Sequence, residues 1–226
     1  MSKNIILFIF MLCTNSLVFA QDDFYGSFGD REDDKLILEM VSHFEKTLCD
    51  YYNIQLDKSS SAFKKYIEDI SKEDVKFPTF LAKLANDKSL NLLKESHDEL
   101  FEYVWIKSSD NRHKLSSLSF TPFTQEQIKA FEDEEYFNEF IEKIQAQEFV
   151  YILNYEEAFG DKIIQESNNQ NIKDFIITFR ENYINHPLLI APLLNLTDEE
   201  YENKAVKIFI AFEFFYTCLN SKVAYE

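Results

Sequence analysis

With 226 residues, 23 Lys and Arg against 40 Asp and Glu, and a net charge of −17, the chain is long enough for one sizeable core and has no basic footprint. No Lys/Arg cluster stands free of neighbouring acids, which excludes nucleic acid as a partner and disfavours anionic membrane surfaces. Three glycines and four prolines punctuate a sequence that is 16 % aromatic, with 23 Phe and 12 Tyr.

The first segment has the form of a secretory signal. Lys3 precedes an apolar run from Ile5 to Leu12, then come polar Thr14, Asn15 and Ser16, and then Val18-Phe19-Ala20, the small-residue pattern that a signal peptidase reads. Residues 1–20 are therefore expected to be a signal peptide, cleaved after Ala20 to leave Gln21 first, with the mature chain exported to a periplasmic or extracellular space. Bulky Phe10, Met11 and Leu12 ahead of Cys13 argue against lipidation at that cysteine. The apolar run is shorter than the roughly 20 residues that span a bilayer. The later stretch from Val206 to Leu219 is interrupted by Lys207 and Glu213, so no transmembrane anchor is expected in the mature chain.

Residues 21–34, QDDFYGSFGDREDD, carry six acids against one arginine. Their low apolar content and like charge do not repay the entropy of ordering, which predicts a flexible acidic leader. Phe24, Tyr25 and Phe28 are the residues through which such a leader would dock as a peptide.

From Lys35 to Glu226 the pattern is that of a single all-α domain, a bundle or array of about six to eight helices with an aromatic-rich core. Ile37, Met40, Val41, Phe44, Leu48 and Tyr51 recur at three-and-four spacing and line one face of a first helix. Ser59, Ser60 and Ser61 offer capping hydroxyls before a second helix with Phe63, Tyr66, Ile67 and Ile70 on one side. Pro78 opens a third, short helix with Phe80, Leu81 and Leu84. A fourth is expected from about Ser89 to Ile106, with Leu93, Leu100 and Val104 inward. The stretch from Asn111 to Pro122 then reads as the longest internal loop.

Thr124 with Gln127, and Thr197 with Glu200, form capping boxes, each preceded by a residue placed to staple onto the helix: Phe123 onto Ile128 and Leu196 onto Tyr201. The first opens a long helical region from Gln125 to Phe159, bending near Glu132–Glu135 and resuming its stripe with Phe137, Phe140, Ile141, Ile144 and Ile152, with Gly160 as C-terminal cap. Ile172, Phe175, Ile176 and Phe179 mark a further helix closed by His186 and Pro187. The last, about Asp198 to Asn220, is apolar nearly all round and is expected to be central.

Chemistry-bearing motifs are scarce. His43, His97, His113 and His186 stand singly, without metal-ligand spacing. His97 lies among Leu93, Leu100 and Val104, the setting of a hydrogen-bonded core or boundary histidine, and Glu39 lies within reach of His43 on one helix face. No nucleophile elbow and no glycine-rich loop is present, and Glu132 to Glu135 read as a solvated bend, so neither a catalytic residue nor a cofactor is expected. Cys49 and Cys218 remain after the signal departs, an even number in a compartment that permits disulfides, and a bridge between them is expected. Trp105 and Ile106, at the end of the fourth helix beside the loop, are the expected exposed contact for a protein partner.

These readings lead to an exported, non-enzymatic helical protein that binds a macromolecule, as an inhibitor or immunity-type protein does, with a basic protein as the partner its charge would steer. A carrier of a small apolar ligand, held among the aromatic rings, is the alternative from another class, and an enzyme comes third.

Overall fold

The computed structural model describes residues 26–72, 77–110, 133–182 and 193–223. The signal segment, the loop at 111–122, the Thr124–Gln127 start, His113 and His186 lie outside those residues. The described chain is helical apart from one two-stranded antiparallel sheet, and its core is rich in aromatic side chains.

Helix α1 (Glu32–Tyr52) buries the stripe its spacing predicts, Ile37, Met40, Val41, Phe44 and Leu48, whereas Tyr51 is 42 % exposed. Its start is three residues earlier than the sequence pattern suggests, because Glu32, Asp33 and Asp34 occupy the first turn, where the helix dipole favours acids. A single 3-10 turn (Leu56–Lys58) leads to α2 (Ser59–Ile70), which buries Phe63, Tyr66 and Ile67; α3 (Phe77–Leu84) carries Pro78 at its second position. Helix α4 (Asp87–Glu99) runs antiparallel to α1 and is capped by Asn86, whose side chain accepts the Ser89 N–H at 3.0 Å.

The expected fourth helix stops at Glu99 instead of Ile106. Glu102 takes a left-handed conformation (φ 66) that turns the chain back, and Trp105–Ser108 becomes strand β1. It pairs antiparallel with β2 (Val150–Leu153), Trp105 opposite Leu153 and Ile106 opposite Ile152. The long helical region expected from Gln125 to Phe159 is likewise divided, into α5 (Glu134–Gln145) and β2. Gly160 does not cap a helix end. It lies in the first turn of α6 (Ala158–Glu166), where a Cβ would sit 2.2 Å from the Tyr155 carbonyl oxygen, so its lack of a side chain lets the helix start pack against the preceding chain.

Helix α7 (Gln170–Asn182) follows, and then α8 (Asp198–Glu202), opened by the expected capping box: Thr197 Oγ1 accepts the Glu200 N–H and Glu200 Oε2 accepts the Thr197 N–H. The last helix is not continuous from Asp198. Asn203 is extended and caps α9 (Lys204–Ala211), which passes through a π-helical turn, Phe212–Tyr216, into α10 (Thr217–Val223). Side chains also bond carbonyls of the π turn: Tyr66 donates to the Phe214 oxygen at 2.8 Å, and the Thr217 hydroxyl to that of Phe212 at 2.8 Å, which also accepts the Thr217 N–H.

This segment is central, as its all-round apolar character implies. Every residue from Ile208 to Tyr216 is buried, against α1, α6 and their neighbours. Phe44 of α1 stacks on Phe215 with centroids 4.5 Å apart and meets Phe63 and Tyr66 edge-on. Phe159 meets Phe28 and Phe212 edge-on in the same cluster.

Candidate functional site

The part of the expected leader that is described, residues 26–34, is docked on the fold. Phe28 is 2 % exposed, its N–H donates to Glu166 Oε1 at 2.5 Å, and its carbonyl accepts from Lys204 Nζ at 2.9 Å. Asp34 is fully buried and forms a 2.7 Å ion pair with fully buried Lys162. Its carboxylate also accepts from the Tyr103 hydroxyl at 2.9 Å and from the backbone N–H groups of Gly29 and Arg31, both at 3.1 Å. Burial alone would raise the Asp34 pKa, but Lys162, Tyr103 and the two backbone donors outweigh it and hold the pKa below the usual carboxylate value. Composition pointed to a spacer because the residues that hold this segment, Lys162, Glu166 and Lys204, lie far along the chain.

Trp105 is not the exposed anchor expected. It is fully buried, its indole N–H donates to Ser96 Oγ at 3.0 Å, and its ring packs near Phe212, while neighbouring Ile106 is half-buried. The turn at Glu102 folds the tryptophan back onto α4, which removes it from any partner's reach. The expected bridge between Cys49 and Cys218 is not formed either: both are buried thiols. Burial pushes both pKa values up, with Glu45 and Asp50 adding to the effect at Cys49 and Glu213 at Cys218.

His97 has the setting its neighbours imply. It is stacked on Tyr151 at 3.9 Å, edge-on to Trp105, and bonded to Asn220 Oδ1. His43 bonds Asn86 and Ser89 on α4, and Glu39 instead pairs with Lys88 at 3.1 Å. Among the described residues, no group of three or more His, Cys, Asp or Glu side chains is placed to hold a metal ion, and no helix is long and apolar enough to cross a membrane.

Among the described residues, a concave feature lies between the N-terminal half of α1 and the C-terminal half of α4. It is a cleft of about 250 Å³ lined by Glu32, Asp33, Lys35, Leu36 and Glu39 from α1 and by Glu95, Glu99 and Leu100 from α4 and its cap. Three of its acids are engaged: Glu32 with Lys35 at 2.6 Å, Asp33 with Arg31 at 2.8 Å, and Glu39 with Lys88. Among the described residues no cation pairs with Glu95 or Glu99. These two stand four apart near the C-terminus of α4, where like charges repel and the helix dipole disfavours an anion. Their spacing was visible in the sequence; that the facing wall is also acidic was not.

No protein-family model matches the chain, and no curated protein and no solved structure shows a significant likeness to it.

Proposed function

We propose that the chain is an exported, non-enzymatic binding protein whose α1/α4 cleft receives a basic segment of a macromolecular partner. The observation that supports this most is the placement of Glu95 and Glu99. The like-charge pair costs about 0.2–0.5 kcal/mol, and Glu99, in the last turn, a similar amount at the negative helix end. Both side chains are exposed and, among the described residues, neither is paired with a cation, so a cationic side chain entering the cleft would relieve the repulsion. Leu36 and Leu100 give the same cleft an apolar floor for the stem of a lysine or arginine. A net charge of −17 would steer such a partner over a distance set by ionic strength.

The test is a titration of isotopically labelled protein with a lysine- and arginine-rich peptide, followed by NMR. Shifts are expected to concentrate on residues 32–39 and 95–100 and to weaken at least several-fold in a Glu95→Gln/Glu99→Gln variant. Shifts spread evenly over acids on every helix would show that the charge acts only as a diffuse field.

A further inference from the structure

Of the chain's asparagines, Asn195 alone is followed two places on by a hydroxyl residue with no proline between: Asn195-Leu196-Thr197. That spacing is the acceptor pattern for an N-linked oligosaccharide, and it carries meaning where the asparagine stands on a surface turn of an exported chain. The fold supplies the turn. Leu194 and Asn195 form it just ahead of α8, and both are exposed. Leu193 and Leu196 on either side are buried. The Leu196 N–H donates to the Leu193 oxygen at 3.2 Å, and the buried Tyr201 hydroxyl donates to the same oxygen at 2.8 Å. Two buried leucines and one doubly bonded carbonyl thus root the turn in the core and carry Asn195 into solvent.

We propose that Asn195 is N-glycosylated during export, its amide carrying an oligosaccharide beside the exposed Leu194.

The bond that forms joins the Asn195 side-chain nitrogen to the anomeric carbon of an oligosaccharide carried on a polyprenyl diphosphate. The bond between that carbon and the diphosphate oxygen breaks, its electron pair leaves with the diphosphate, and the amide nitrogen gives up one proton. Nothing is oxidised or reduced. A transferase of the export route reads the Thr197 hydroxyl, which has a second use in the finished fold, where it accepts the Glu200 N–H at 3.2 Å and caps α8. The two uses are sequential: the chain is read while extended, and α8 closes on the hydroxyl afterwards. On the folded surface the sugar shields Leu194, an apolar side chain left in water at the same turn, and adds a bulky solubilising group. The inference rests on residues 1–20 directing export, and it stands whether or not the α1/α4 cleft receives a basic partner.

Intact mass and peptide mapping of the chain recovered from its own host test it. The expected product lacks the signal segment and exceeds the mass of its polypeptide by an oligosaccharide, which peptide N-glycosidase removes while converting Asn195 to aspartate. Asn195→Gln and Thr197→Asp, produced in the same host, are each expected to abolish the excess, and Thr197→Ser to retain it. Aspartate and serine both cap helices at least as well as threonine, so α8 keeps its start in either variant and loss of the sugar is separated from loss of the fold. An unmodified chain without its signal segment would overturn the glycosylation and leave export standing, whereas an unmodified chain still beginning at Met1 would overturn both. An oligosaccharide retained by Asn195→Gln would overturn the assignment to this residue.

Discussion

At the scale of single residues, the fold stakes most on Asp34 and Lys162, two charges with no exposed surface joined at 2.7 Å. Removing one partner leaves the other buried and uncompensated, a loss of about 3–5 kcal/mol in comparable pairs. Lys162→Met is accordingly expected to lower the urea-unfolding free energy by that amount. Because the Asp34 pKa is lowered in the fold, its contribution is complete above the ordinary carboxylate value of about 4 and is lost as pH falls through the folded value. Asp34→Asn should therefore flatten the stability profile below pH 4, which pH-dependent denaturation measures. Gly160→Ala belongs to the same scale: the added methyl meets backbone, not a side chain that can swing away, and a loss of about 3 kcal/mol is expected from thermal unfolding. None of these roles was legible beforehand. Asp34 sits in a run of acids that looks solvated, and its partner is 128 residues away. Trp105 was placed correctly as a large apolar group but aimed outward, because the reversal at Glu102 leaves no mark in hydrophobic spacing.

At the scale of elements, legibility followed local signals. Helix α1 was visible because its core face repeats from Ile37 to Leu48, and the start of α8 because Thr197 and Glu200 satisfy one another's backbone donors. Thr197→Ala is expected to cost about 1 kcal/mol in chemical denaturation, the ordinary worth of such a cap. Strands β1 and β2 were absorbed into neighbouring helices, since segments of four residues such as Trp105–Ser108 and Val150–Leu153 are too short to distinguish the two periods. The π turn at Phe212–Tyr216 likewise depends on tertiary partners, Tyr66 among them, that no local pattern encodes. The two cysteines illustrate the same limit. Helices α1 and α10 are both parts of the core, but a bridge needs Cα atoms within about 7 Å and aligned side chains, which proximity of elements does not ensure. Alkylation without reductant is expected to leave Cys49 and Cys218 unlabelled in the native protein and to label both in denaturant, by peptide mass.

At the scale of the whole molecule, the charge total was plain in the composition, while its concentration in one concave place required the antiparallel packing of α1 and α4. That packing sets Glu95 and Glu99 opposite Glu32, Asp33 and Glu39. A cleft shaped for function at the expense of helix stability has a signature: Glu95→Gln/Glu99→Gln should unfold at slightly higher urea, by about 0.5 kcal/mol, while binding is weakened. The α1/α4 cleft as a docking site for a basic macromolecule is tested most directly by native mass spectrometry of the chain recovered from its own host, alongside that double variant. The expected result is a stoichiometric complex with a basic protein, dissociating as salt rises and absent from the variant. A bound small apolar molecule in its place, or a protein partner retained undiminished by the variant, would contradict the account.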